Sequence, residues 1–124
     1  MSRLPLDGLR LLIVEDEPLI ALDIESTLSD AGALTACART VAQALALVET
    51  TPVDGAVLDY RLETETSAPI ADRLTELGVP FLFHCSGSEP SEGYPQVRIV
   101  SKPTQPQQLV EAVKGLTGGL VGSG

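Results

Sequence analysis

The chain has 124 residues, 44% of them hydrophobic, and its 17 acidic and 8 basic residues give a net charge of -9. This length fits one domain, large enough to bury a core without disulfides or a structural metal. Its negative charge repels phosphate backbones and anionic lipid, so we expect neither a nucleic-acid nor a membrane partner.

Apolar strand-like runs alternate with amphipathic runs along the chain. They predict strands at 9–14, 33–38, 54–58, 79–85 and 97–100, and helices from Pro18, after Thr40, over 68–77 and over 105–116. Thr40 is expected to cap the second helix, and Gly78 to end the third. Residues 87–95 contain two prolines and two glycines without an apolar period, so we predict a loop or one helical turn there.

Continuous apolar strands that alternate with helices indicate a parallel sheet covered on both faces. We predict an α/β fold, a flavodoxin-like three-layer sandwich with a five-stranded parallel sheet in the order 2-1-3-4-5. The fourth helix of that fold should be short or absent. The domain should span 9–116, between an N-terminal extension at 1–8 and a flexible glycine-rich tail at 117–124.

The two cysteines indicate the cellular compartment in which the chain is expected to fold. Cys37 and Cys85 lie in apolar stretches without metal-ligand spacing, which predicts buried reduced thiols. No apolar run is long enough to span a bilayer, and residues 1–8 lack the apolar core of a signal peptide. We therefore expect a cytoplasmic protein.

Reactive residue types follow four of the predicted strands. The first strand ends in Glu15 and Asp16, the third in Asp59, the fourth in Ser86 and the fifth in Lys102. In the order 2-1-3-4-5 these strands are adjacent, and ligands bind beyond their carboxyl ends. Three carboxylates at one edge repel unless a cation lies among them, and an all-oxygen ligand set suits Mg²⁺.

Mg²⁺ held by few carboxylates often binds phosphate oxygens as well, which points to phosphoryl chemistry. Asp59 is the candidate nucleophile, and an aspartyl phosphate is reactive and therefore reversible, as a switch requires. Lys102 and the Ser86 hydroxyl can neutralise or bind phosphoryl oxygens. Taken singly, Glu15 and Asp16 could be the acidic first turn of a helix. The shared placement at strand ends favours a site.

These motifs resemble the receiver domain of response regulators in two-component signalling, the CheY-like family, across 9–116. LLIVEDEP looks like the family's first strand with its acidic pair, AVLDY like the strand that carries the phosphoacceptor, and VSKP like the strand that ends in its lysine. The resemblance implies the following roles: Asp59 as phosphoacceptor, Asp16 as direct Mg²⁺ ligand, Glu15 as ligand largely through water, the Arg61 backbone carbonyl as further ligand, and Ser86 and Lys102 as phosphoryl contacts.

Residues 65–87 are also similar to an alphaproteobacterial receiver subclass with a reduced fourth helix, which usually continues Phe-Ala-Thr-Gly-Tyr-Gly. By that similarity Ser86 replaces the threonine, and Ser88 stands at the aromatic position. Most receivers also have a Tyr or Phe three residues before the lysine, whose rotation toward the active-site hydroxyl reports phosphorylation. Here that residue is Ile99, so we expect ordering of 88–95 to carry the signal instead.

The resemblance implies a phospho-histidine donor, either a sensor histidine kinase or a histidine phosphotransferase, and no catalysis beyond the chain's own phosphorylation and dephosphorylation. Because 124 residues leave no room for an output domain, we expect signalling by protein contact; weak homodimerisation is left open.

Two alternatives remain. A hydrolase of the haloacid-dehalogenase type is disfavoured because Arg61 stands where a second Asp is required. The other is a phosphorylation-independent docking module with a receiver fold.

His84, the only histidine, is expected to be a core or strand-face residue rather than a phosphodonor.

Overall fold

The computed structural model describes residues 4–85, 94, 97–102 and 105–121, the last four as backbone only. Within these ranges there are five strands and four helices, which alternate except between the fourth and fifth strands. The strands are β1 Arg10–Val14, β2 Leu34–Ala38, β3 Gly55–Leu58, β4 Phe81–Cys85 and β5 Ile99–Ser101; the helices are α1 Pro18–Asp30, α2 Val41–Thr50, α3 Ala68–Leu77 and α4 Pro106–Val121.

The strands form one parallel sheet in the order β2-β1-β3-β4-β5, as predicted. Side chains of α1 and α4 pack on one face of the sheet, and those of α2 and α3 pack on the other. Both faces of β3 and β4 are therefore buried, which explains their unbroken apolar sequence. Among the described helices, none is long and apolar enough to cross a membrane.

The helix ends follow the local chemistry of the sequence. The Thr40 hydroxyl accepts a hydrogen bond of 3.1 Å from the Gln43 amide and caps α2. Gly78 ends α3 in the left-handed conformation, with a φ of 73°. The last helix, in contrast, runs to Val121 and so extends beyond the predicted end at residue 116. Thr117 holds this last part of the helix against the sheet. Its buried side chain lies against Gly55, and its hydroxyl donates a hydrogen bond to the Val113 carbonyl.

Part of the N-terminal extension is packed against the domain. Leu6 is fully buried, and its amide donates to the Ala31 carbonyl at 2.8 Å. Gly32 has a φ of +105°, and a Cβ there would lie 2.8 Å from the Asp7 Cα. A glycine at 32 therefore lets residues 4–8 lie across the turn between α1 and β2. Residues 117–121 of the predicted tail 117–124 belong to the last helix, α4, and the flexibility of 122–124 stays a prediction, since they lie outside the described residues.

Of the two thiols predicted to be buried, only Cys85 is; the prediction for Cys37 is wrong, because Cys37 is exposed. β2 is an edge strand that pairs with β1 alone, so its side chains are less covered than those of β3 and β4. The predicted strand order already placed β2 at the edge, but the apolar composition of 33–38 did not indicate that Cys37 would be exposed.

The link between β4 and β5 is described only at Tyr94 and at 97–98, and no helix occurs at these positions. The loop predicted at 87–95 thus lies outside the described residues apart from Tyr94.

Candidate functional site

The backbone of the sheet brings two acidic residues side by side. Val14 and Leu58 are partners in the β1–β3 ladder, so Glu15 and Asp59 occupy the next position on each strand. The Asp59 amide donates to the Val14 carbonyl at 2.9 Å, which continues the ladder to this point. Glu15 and Asp59 therefore project from the same face, at the carboxyl ends of neighbouring strands.

The candidate site consists of three carboxylates and one ammonium group. One carboxylate oxygen each of Glu15, Asp16 and Asp59 can be chosen so that all three lie within 4.8 Å of one another. Lys102 Nζ lies 3.0 Å from Glu15 Oε1 and 3.2 Å from Asp59 Oδ2. Glu15 and Asp59 are buried, at 1% and 8% exposure. The site thus holds more negative than positive charge in a place that water reaches poorly, and these residues can hold a metal cation.

The pKa values of Glu15 and Lys102 reflect their burial and their contacts within the site. Burial, and next the hydrogen bond with Asp59, raise the pKa of Glu15 to about 7, although Lys102 acts in the opposite direction. Burial acts to lower the pKa of Lys102, but the hydrogen bond to Glu15 and the charges of Glu15 and Asp59 outweigh it, so the net shift is upward. Lys102 therefore stays charged, and one ammonium group does not fully compensate the two buried carboxylates.

Lys102 is positioned by the end of β4. Its amide donates to the Cys85 carbonyl at 2.7 Å, directly after the ladder pair of Cys85 and Ser101. Cys85 is thus the buried last residue of β4, at the edge of the site. Its sequence position at the end of the predicted strand 79–85 was the available signal for this location. Ser86 lies outside the described residues, so its predicted role stays a prediction.

His84 is a buried strand-face residue, as expected, and it is close enough to the site to be affected by its charges. Burial, followed by the charge of Lys102, lowers the pKa of His84 to about 4, while Asp59 and Asp23 oppose the shift. The imidazole, 5% exposed, is therefore neutral at physiological pH.

The remaining predicted site residues are Arg61 and Ile99. Arg61 begins a tight turn after Asp59, in which it forms a bridge with Thr66 and the Leu62 amide donates to the Glu65 carbonyl at 2.8 Å. Metal binding by the Arg61 carbonyl stays a prediction. Ile99 is half-buried and pairs with Phe83, so an aliphatic side chain occupies the predicted switch position.

No protein-family model and no curated protein matches the chain. Among solved structures, SdrG from Sphingomonas melonis Fr1 is 36% identical over 94% of this chain and 98% of its own, with a TM-score of 0.75. A BeF3-activated conformation of SdrG from Pseudomonas melonis Fr1 is 34% identical over 94% of this chain and 99% of its own, with a TM-score of 0.73.

Two further structures extend the comparison. A response regulator receiver protein from Sinorhizobium medicae WSM419 is 29% identical over 91% of this chain and 97% of its own, with a TM-score of 0.78. The response regulator PhyR from Brucella abortus is 26% identical over 94% of this chain, with a TM-score of 0.78, but this chain spans only 50% of PhyR. With the strand order and the acidic cluster at the strand ends, these similarities show that the chain belongs to the response-regulator receiver family.

Proposed function

We propose that this chain is a phosphorylation switch that accepts a phosphoryl group on Asp59, with Mg²⁺ bound beside it. The observation that carries the proposal is the cluster of three carboxylates with Lys102 Nζ 3.0 and 3.2 Å from two of them. Oxygen donors with excess negative charge suit Mg²⁺, and Glu15, Asp16, Asp59 and the Arg61 carbonyl would hold it. When bound, Mg²⁺ supplies positive charge to the phosphoryl oxygens.

The residues of the chain fit the roles that phosphoryl transfer requires. An Asp59 carboxylate oxygen forms the new bond to phosphorus while the bond from phosphorus to the donor breaks. Lys102 Nζ lies 3.2 Å from Asp59 Oδ2, where its charge can act on a phosphoryl group bound to that carboxylate. Burial of Asp59 limits the access of water, which favours a phosphoryl group that lasts long enough to signal.

For the donor we propose a phospho-histidine of a sensor histidine kinase or a histidine phosphotransferase, and for the location the cytoplasm. The chain would catalyse only its own phosphorylation and dephosphorylation, and it would signal by protein contact. The acidic composition and the receiver family support a protein partner rather than nucleic acid.

Acetyl phosphate and Mg²⁺ should add one phosphate to the purified chain, as measured by intact mass, and Asp59→Asn should abolish the gain. Asp54→Asn is a matched control, because Asp54 precedes β3 and binds the Arg10 amide, whereas Asp59 follows the same strand. If the wild-type chain gains no mass, it is a phosphorylation-independent docking module. A gain that persists in Asp59→Asn places the phosphate elsewhere.

Ser86→Ala should slow phosphorylation roughly tenfold, the cost of one hydrogen bond to a charged phosphoryl oxygen. Cys85→Ala is the necessary comparison. If the motif Phe-Ala-Thr is aligned so that its phenylalanine matches Phe83, its threonine matches Cys85, which directly precedes Ser86. The Cys85 carbonyl also accepts the hydrogen bond from the Lys102 amide. Initial rates with acetyl phosphate decide between them. If only Cys85→Ala is slow, the thiol takes the role assigned to Ser86.

A further inference from the structure

Tyr94 joins the sheet to helix α3. Its ring centroid lies 5.3 Å from that of Phe83 and 6.5 Å from that of Phe81, both in edge-on arrangements. Its hydroxyl donates to Asp72 Oδ1 at 3.0 Å and lies 3.5 Å from the Ala68 carbonyl. Tyr94 comes from the link between β4 and β5, so this one side chain fixes a point of that link to both β4 and α3.

The same rings lead back to the phosphoacceptor. Tyr60 directly follows Asp59, and its ring meets Phe83 edge-on with centroids 5.3 Å apart. The Tyr60 carbonyl also accepts from the Ser67 amide at 2.8 Å, at the start of α3. We call Tyr60, Phe83 and Tyr94 the ring row. It runs from the residue after Asp59, across β4, to Asp72 of α3.

The ring row offers a signal route that does not need an aromatic residue at position 99. Ile99 pairs with Phe83 in the β4–β5 ladder, so the middle ring of the row lies beside the aliphatic residue at the usual switch position. Edge-on ring pairs have preferred geometries, and displacement of one ring therefore acts on the next.

We propose that Tyr94 is a latch that reports phosphorylation: when Asp59 is modified, the ring row shifts and the Tyr94 hydroxyl leaves Asp72. This inference rests on the proposed phosphorylation of Asp59. Asp59 is 8% exposed, so a phosphoryl group added there has to be accommodated by its neighbours, of which Tyr60 is the next in the chain. Release of Tyr94 would change the surface of α3 around Ala68 and Asp72, where a partner could detect it.

The latch is held weakly enough to open. Asp72 is exposed, so water can replace the Tyr94 hydroxyl as its hydrogen-bond partner. Burial, followed by the hydrogen bond to Asp72, raises the pKa of Tyr94 to about 12. The phenol therefore remains protonated and keeps donating to Asp72 in the closed arrangement across the physiological pH range.

Tyrosine fluorescence tests the latch, because the chain has two tyrosines and no tryptophan. Tyr60→Phe keeps the ring of the row and leaves Tyr94 as the only strong emitter. A phenol that donates to a carboxylate is quenched, so Mg²⁺ with beryllofluoride should raise the emission of this variant. Adding Asp72→Ala to this variant should raise the tyrosine emission before beryllofluoride is added. It should also remove the further rise when beryllofluoride is added. Adding Glu76→Ala instead should change neither, since Glu76 lies on the same helix but pairs with Arg73.

Fluorine NMR on the same samples reports whether beryllofluoride is bound. Bound beryllofluoride with unchanged Tyr94 emission overturns the latch but leaves the proposed function intact. Failure of beryllofluoride to bind in the Tyr60→Phe and wild-type chains counts against the phosphorylation site itself, and the latch is then wrong with it. A rise that survives Asp72→Ala also contradicts the latch, because the quenching partner would be another group.

Discussion

Lys102→Met is expected to destabilise the metal-free protein by roughly 3 kcal/mol at about pH 8, which urea unfolding in the presence of a chelator would measure. The reason is that Lys102 Nζ contacts both buried carboxylates of the site, at 3.0 and 3.2 Å. Without it, Glu15 and Asp59 face each other with no cation between them. Mg²⁺ should recover much of the loss, because it supplies positive charge at the same place.

The pH dependence of that loss has a definite sign. The pKa of Glu15 is 4.5 in an unfolded chain and about 7 in the fold, and removal of Lys102 removes a contribution that lowers it. A raised carboxyl pKa favours the fold at low pH, and that advantage is lost as pH rises through the folded value. The variant should therefore approach wild-type stability in acid. Lys114→Met, an exposed lysine of α4, is the control, and an equal loss in both variants would contradict the prediction.

The parallel sheet was predictable because it depends on composition over whole elements, and its strand order followed from the flavodoxin-like fold. Unbroken apolar strands require cover on both faces, and only a parallel sheet with crossing helices provides it. The helix ends at Thr40 and Gly78 were predictable for a local reason, since capping needs only the adjacent residues. The exposure of Leu19 and Leu22, at 75% and 57%, was not predictable, because helical spacing does not specify which side of α1 meets the sheet.

Four members of the candidate site were predictable, but their geometry was not. Strand ends alone bring Glu15, Asp16, Asp59 and Lys102 to one edge, and the structure places all four there. The sequence did not reveal that Lys102 lies slightly nearer Glu15 than Asp59, because that depends on how the side chains pack. Tyr94 was missed for a related reason: its partners, Phe83 and Asp72, are distant in sequence and no local pattern links them.

Burial of His84 should reduce the stability of the chain in acid, against an opposite contribution from Glu15. The pKa of His84 is 6.5 in an unfolded chain and about 4 in the fold, chiefly because the imidazole is buried and secondly because of Lys102. A depressed pKa gives stability that is present above the unfolded value and lost as pH falls toward the folded one. Between about pH 7.5 and about pH 4, the wild-type chain should lose roughly 3 kcal/mol through this group.

A comparison with His84→Leu isolates the effect, because Glu15 changes stability in the opposite direction over the same range and is present in both chains. The stability difference between wild type and variant, measured by urea unfolding without metal, should shrink as pH falls or reverse in favour of the variant. Since His84 is the only histidine, NMR of its ring reports the pKa directly in the folded protein. A midpoint near 6.5, or a constant stability difference, would mean that the imidazole is hydrated and that its burial beside Lys102 does not hold in solution.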